Sequence, residues 1–168
     1  MVETHISLSV DRLLNEDSYA IPLYQRNFSW TYDEIEQLLN DVADAFQEKR
    51  DNYYIGTLVV NEENGIFKII DGQQRTTALN LISLVLKNEF DCDRLEAVRL
   101  TFPARRKSNE NIQKLFTKQK ISEDDENELT RGYRRAKDAL ENVLGERQLD
   151  TQSFVDYLFN KVIIFRSI

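Results

Sequence analysis

Residues 69–78 read Ile69-Ile70-Asp71-Gly72-Gln73-Gln74-Arg75-Thr76-Thr77-Ala78, and the texture changes within them from strand to helix. An apolar strand stops at Asp71. A helix from Gln73 to about Glu89 begins at once, with Ala78, Leu81, Ile82, Val85 and Leu86 at inward-facing spacing. If Asp71 is the N-cap, Gln74 stands three places on and can close a capping box. Unpaired backbone N–H groups and the helix dipole at such an end suit an anion. Gly72 lets the backbone come close to a ligand. Arg75 offers a forked donor pair to phosphate, and Gln73 and Thr76 add neutral donors. Asp71 could instead hold magnesium, which prefers one or two carboxylates plus phosphate oxygens. The plain alternative is that Asp71 only caps, Arg75 makes a surface ion pair, and the helix packs. Neither G-x-x-x-x-G-K-[ST] nor G-x-G-x-x-G occurs, so P-loop and Rossmann chemistry are absent.

Upstream, Tyr53 to Asn61 reads as a strand, 61–65 as a turn, and Ile66 to Ile70 as its hairpin partner. Before it lies an amphipathic helix from Tyr32 to about Glu48, with Ile35, Leu38, Leu39, Val42 and Phe46 on one face. Thr31 and Glu34 form its capping box, and Trp30 with Ile35 are placed for a hydrophobic staple. Ile21-Pro22-Leu23-Tyr24-Gln25-Arg26-Asn27-Phe28-Ser29-Trp30 reads as extended chain, and Pro22 bars it from a central strand. In that conformation Tyr24, Arg26, Phe28 and Trp30 share one side. This segment is either an aromatic edge or a second wall of the site. As a wall, Gln25 or Arg26 reaches the ligand and Tyr24, Phe28 or Trp30 stacks on a base. Nearer the start, 8–10 reads as a short strand and 11–14 as a helical turn.

Downstream, Leu95 to Phe102 is a candidate strand. Asn109 to Lys118 and Glu123 to Leu144 look helical, the second capped by Ser122 and stopped by Gly145. Ser153 to Asn160 is a short helix and Lys161 to Phe165 a final strand. The expected division is a core over 1–104, a helical subdomain over 105–160, and a strand over 161–168 that returns to the core. A buried-looking strand so close to residue 168 reads as an N-terminal fragment whose domain is incomplete at its C-terminus.

The 168 residues are 41% hydrophobic and 30% charged, enough for a packed core rather than disorder. No apolar run approaches the ~20 residues of a membrane span, and 1–5 show no secretory signal, so a cytoplasmic protein is expected. One cysteine and one histidine exclude a cysteine metal cluster, a Ser-His-Asp triad and an HNH nuclease site within this chain. Net charge is −7 and unevenly placed: 1–90 carry 7 basic and 15 acidic residues, 91–168 carry 15 and 14. The acidic first part is ill suited to coat nucleic acid. The basic clusters, Arg105 to Lys107 followed by Lys114, Lys118 and Lys120, and Arg131, Arg134, Arg135 and Lys137, are solvated helix faces or a contact surface for a phosphate backbone.

Two motifs together resemble a known family. The 21–30 segment is similar to I-P-x-Y-Q-R-x-[YF]-x-W, and 70–77 is similar to D-G-Q-Q-R-x-T. With the Tyr54-Ile55-Gly56 strand between them, they mark the family of domain of unknown function 262. It includes the GmrS half of GmrSD modification-dependent restriction enzymes and related phage-defence proteins. The resemblance is clear over 5–90, weaker over 91–160, and returns at Lys161 to Arg166.

The resemblance implies an α+β fold similar to ParB and sulfiredoxin, whose G-x-x-R loop at a helix N-terminus corresponds to Gly72, Gln73, Gln74 and Arg75. It implies nucleotide binding there, with GTP or UTP and Mg2+ favoured, and hydrolysis that regulates a separate HNH nuclease. The chain lacks the family's downstream N-x-R-G segment and has no cysteine in the loop for sulfiredoxin-like chemistry. The expected function is an NTP-hydrolysing sensor of a DNA-targeting restriction or defence enzyme. In it Asp71, Arg75 and Gln25 are catalytic, Asp71 is the metal ligand, and Tyr24, Gln25, Arg26 and 71–76 bind nucleotide. DNA contact through the full-length protein and homo-oligomer formation are further expectations. The alternative is a non-catalytic DNA- or protein-binding module in which nucleotide acts only as a switch.

Overall fold

A computed structural model describes residues 4–168. Met1, Val2 and Glu3, which begin both the stretch read for a secretory signal and the 1–104 core, lie outside the described residues. The chain is α+β, as expected from the alternation of helical and strand-like texture. In order, the elements are β1 (His5–Ser9), α1 (Val10–Asn15), β2 (Ser18–Ala20), α2 (Tyr32–Gln47), β3 (Tyr53–Glu63) and β4 (Ile66–Asp71). Then follow α3 (Gln73–Glu89), β5 (Leu100–Thr101), α4 (Arg106–Phe116), α5 (Glu128–Glu146), α6 (Thr151–Asn160) and β6 (Val162–Ser167).

The six strands form one mixed sheet in the order β1-β6-β3-β4-β2-β5. β3 and β4 are the expected antiparallel hairpin. β6 enters between β1 and β3, antiparallel to the first and parallel to the second, so the last strand is internal to the sheet. Val162 and Ile164 are buried there. At β6 the side chain of Arg166 is also buried, donating to Asp17 Oδ2 at 2.7 Å and to the Tyr19 hydroxyl at 2.8 Å, with its guanidinium 4.0 Å from the Phe67 ring centroid. Charge pairing and ring contact offset the desolvation of that arginine.

The pairings of β3 with its two neighbours carry the irregularities that shape the site. Its pairing with β6 skips from Tyr54 to Gly56, and its pairing with β4 shifts between Val59 and Val60. Bulges of this kind bend a strand and leave one residue's backbone groups out of the ladder. On β4 the residue left out is Ile70, because Val59 faces Asp71 and Val60 faces Ile69.

α3 is buried on nearly all sides: among 74–86 only Arg75 is not. A helix without a polar face belongs inside. Its buried Asn80 and Ser83 return hydrogen bonds to the carbonyls of Thr76 (2.9 Å) and Leu79 (2.8 Å), so neither is left unsatisfied. α5 packs on both α2 and α3. Gly132 permits this approach, since a Cβ there would lie 2.6 Å from Phe28 Cε2 and 2.8 Å from Leu81 Cδ1.

Several expected boundaries move for identifiable reasons. The helix expected from Glu123 begins at Glu128. Ser122 heads only a 3-10 turn over Glu123–Asp125, Glu126 is extended, and Asn127 is the real cap, accepting from the N–H groups of Leu129 and Thr130. Gly145 does not stop that helix, which runs on to Glu146; the left-handed residue beyond it is Gln148, at φ 51°. The helix expected over 153–160 starts at Thr151, because the Asp150 carboxylate accepts from both N–H and hydroxyl of Ser153. The helix expected over 109–118 spans Arg106–Phe116, and of 95–102 only Leu100–Thr101 pairs. The short β2 was not anticipated; it is held between β4 and β5 rather than by any pattern of its own.

Candidate functional site

The site begins where β4 ends. Asp71 is the last residue of β4, paired with Val59, and is not the helix cap. The N-cap of α3 is Gly72, in left-handed conformation at φ 104°, and no side chain caps this end. The expected Asp71–Gln74 capping box therefore does not form. The positive φ requires glycine, and a Cβ at residue 72 would in addition crowd Leu58 Cδ1 at 3.0 Å and the Thr57 carbonyl at 3.3 Å. The first-turn N–H groups of α3 are left without side-chain caps, and the Asp71 carboxylate is exposed beside them.

Gln74 has another task. It is 8% exposed, accepts from Ser29 N–H at 2.8 Å and donates to the Asn27 carbonyl at 3.0 Å. One side-chain amide thus ties the 21–30 segment to the start of α3. Thr76 is also turned inward: buried, it donates its hydroxyl to the Gly72 carbonyl at 2.9 Å, a bond within the helix end rather than toward a ligand.

The 21–30 segment is not uniformly extended. A turn at Pro22 to Gln25, closed by Gln25 N–H to the Pro22 carbonyl at 3.0 Å, reverses the alternation. Phe28 is consequently buried at 7% exposure while Tyr24 stands 76% exposed at the turn. The shared face expected for Tyr24, Arg26, Phe28 and Trp30 does not exist, and Phe28 is a core anchor. Gln25 donates Nε2 to the Ile70 carbonyl at 3.1 Å, and its Oε1 accepts from Gln73 Nε2 at 3.1 Å. The carbonyl freed by the β4 bulge is thereby satisfied, and the 25 and 73 side chains are locked together.

Arg75 is half-buried. It forms no ion pair and no side-chain hydrogen bond with any described residue, so the surface ion pair considered for it is not made. Its guanidinium lies against the backbone of Gly56. Arg75 and Trp30 line two adjoining recesses. The first, of about 220 Å³, is walled by Arg26, Trp30, Asp71, Gly72, Gln73, Gln74 and Arg75. The second, about 400 Å³, runs between α2 and the start of β3 and includes Tyr53, Tyr54, Ile55, Leu38 and the carboxylates of Asp33, Glu34 and Asp41. Burial, then the Asp41 charge, raise the Tyr53 hydroxyl above the ordinary phenol value; Arg75 is among the groups opposing that rise.

Folding brings together Arg26, Asp71, Gly72, Gln73, Gln74 and Arg75 around the small recess, with Gln25 behind Gln73. It places Tyr24 outside both recesses and Thr76 inside the helix end. Two contributors were missed. Gly56 makes room for Arg75, and a glycine inside a strand was the signal for close approach. Arg105 donates to the carbonyls of Leu23, at 3.0 Å, and Gln25, holding the turn from outside; no sequence pattern marked it.

The basic clusters of the second half are largely engaged within the chain. Arg134 pairs with Glu126, Lys137 Nζ lies 3.7 Å from Glu89, Arg106 pairs with Glu110 at 2.7 Å, and Arg135 donates to the Trp30 carbonyl at 3.2 Å. Among the described residues no group of three or more His, Cys, Asp or Glu side chains could hold a metal ion. No helix among them is long and apolar enough to cross a membrane.

The profile of the GmrSD restriction endonuclease N-terminal domain matches residues 10–167. A search of curated proteins finds no match. The matched span runs from α1 to β6 and contains both recesses, and the chain belongs to the GmrSD restriction endonuclease N-terminal domain family.

Proposed function

We propose that this domain binds a nucleoside triphosphate at the end of β4 and supports its hydrolysis, as the sensor module of a DNA-targeting restriction enzyme. The observation that carries the reading is Arg75: a half-buried guanidinium without a hydrogen-bond or ion-pair partner among the described residues, set beside the uncapped N-terminus of α3 and lining the same recess as Arg26. An unpaired cation in that position is left available to an anion.

In this reading the N–H groups of Gln73, Gln74 and Arg75 cradle phosphate oxygens, and the Arg75 and Arg26 guanidinium groups neutralise charge that develops on them. Gln25 acts through Gln73, whose side chain it holds. The donor set suits Mg2+ only together with nucleotide, because Asp71 is a single exposed carboxylate and magnesium takes one or two carboxylates plus phosphate oxygens. When bound with nucleotide, the ion supplies further positive charge at the phosphates. GTP and UTP are the nucleotides favoured by the resemblance of the 21–30 and 70–77 motifs.

The test is phosphate release and calorimetric binding with GTP, UTP, CTP and ATP, with and without Mg2+, on the chain and its Arg75→Ala variant. The expected result is binding that Arg75→Ala weakens about a hundredfold, the loss of a forked charged contact. Retained affinity in Arg75→Ala overturns the phosphate assignment. Binding without phosphate release favours the switch reading over hydrolysis.

A further inference from the structure

Residues 26–31 bring Arg26 and Trp30 to the site, yet they belong to no helix or strand. Their backbone polar groups therefore need partners other than a ladder. Side chains from three helices supply them. Gln74 of α3 accepts from the Ser29 N–H at 2.8 Å and donates to the Asn27 carbonyl at 3.0 Å. Glu34 of α2 accepts from the Thr31 N–H at 3.1 Å. Arg135 of α5 donates to the Trp30 carbonyl at 3.2 Å. The peptide unit joining residues 30 and 31 is thus held at both its C=O and its N–H.

These ties sort the side chains of the segment. Phe28, between the two Gln74 contacts, is buried against Gly132 of α5. Arg26 and Trp30, two places to either side, line the small recess, and Trp30 lines the larger one as well. Arg135 lines neither recess and makes no ion pair with a described residue. Its guanidinium reaches the wall of the site from 105 positions away in the chain. A charged donor makes the stronger kind of hydrogen bond, so α5 has a firm hold on Trp30.

Resting on the phosphate reading above, we propose that Arg135 is a positioning residue of the site, acting from α5 through the Trp30 carbonyl to keep Trp30 and Arg26 at the recesses. The link is reciprocal. A ligand that needs this wall in place also tightens the hold of Arg135 on it, so occupancy at the start of α3 is felt on α5.

Trp30 is the only tryptophan in the chain, so its emission reports the segment directly. The test compares the chain with Arg135→Met, which keeps the apolar stem, Arg135→Lys, which keeps a charged donor, and Arg131→Met, which removes the same charge from α5. Acrylamide quenching of Trp30 and amide exchange at 29–31 are measured with and without inorganic tripolyphosphate, whose affinity is measured by calorimetry. Arg135→Met should raise quenching, speed exchange at 29–31 and weaken tripolyphosphate about fivefold, the scale of coupling through packed contacts. Arg135→Lys should restore most of each effect. Tripolyphosphate should slow exchange at 29–31 in the chain, and less so in Arg135→Met. Unchanged Trp30 quenching in Arg135→Met overturns the proposal. So does unchanged affinity in a variant series where Arg75→Ala still weakens binding, which leaves the phosphate reading standing. An equal affinity loss in Arg131→Met, or a loss that Arg135→Lys does not restore, also overturns it. Tripolyphosphate binding that is absent, or untouched by Arg75→Ala, overturns the phosphate reading and this proposal with it.

Discussion

The Arg75 guanidinium rests on Gly56 so closely that a Cβ at that glycine would stand 2.5 Å from Nη1. Gly56 itself lies at φ 141°, beside the β3 bulge. Gly56→Ala therefore has two separable effects. The flexible guanidinium is pushed aside, and the backbone is strained by about 1–3 kcal/mol. Nucleotide affinity is expected to fall at least tenfold. Adding Arg75→Ala removes the clash but not the strain, so the melting temperatures of the single and double variants should nearly coincide. A double variant that regains most of the lost stability would show that the clash, not φ, carries the cost.

Arg105 holds the 22–25 turn through two carbonyls, and that turn presents Gln25 to Gln73 and Ile70. Arg105→Ala should cost about 1–2 kcal/mol, as for loss of charge-assisted hydrogen bonds partly replaced by water. Amide exchange at 23–25 should accelerate while α3 stays protected. Nucleotide affinity should fall severalfold through the loosened Gln25–Gln73 contact. Unaltered exchange at the turn would count against the tether.

Gly132 lies where α5 meets Phe28 and Leu81. Gly132→Ala removes the entropic disadvantage of a helical glycine, up to ~1 kcal/mol. Overpacking against two buried side chains costs typically 1–3 kcal/mol, and the contacts at 2.6 and 2.8 Å place this site in the costly range. The net expectation is a loss of about 1–2 kcal/mol in urea unfolding. A stabilised variant would mean that Phe28 yields without cost.

Burial pushes the Tyr19 hydroxyl up to about 12, against the pull of Arg166. Its folded value lies above the unfolded one of about 10. The resulting stability is fully present below pH 10 and is lost as pH rises through 12. Unfolding free energy should decline over that window. Tyr19→Phe, which cannot ionise, should be less stable at neutral pH through its lost bond to Arg166 and show a shallower alkaline slope. Equal slopes in the two proteins would remove Tyr19 from the alkaline transition.

Much of the site was legible from residue order because it depends on local rules. Strand, glycine and helix at 69–78 follow from a change of hydrophobic period and a residue able to adopt positive φ. The α2 capping box of Thr31 and Glu34 lies within one helical turn. The hairpin of β3 and β4 needs only its turn. These interactions close over a few residues, so sequence pattern reports them directly.

What required tertiary structure involves residues far apart in the chain. Whether Asp71 or Gly72 caps α3 depends on the pairing of Asp71 with Val59 in the sheet. Gln74 leaves the expected capping box because Ser29 and Asn27, over forty positions away, offer its amide both a donor and an acceptor. Arg75 has no ion-pair partner among the described residues because β3 brings it a glycine rather than a carboxylate, and Arg105 reaches the turn from eighty positions downstream. Residue order alone places these residue types at the loop and predicts that a helix N-terminus presents them. Which of them stay unpaired follows from folding, because a side chain's availability is set by the partners that packing brings within hydrogen-bond distance.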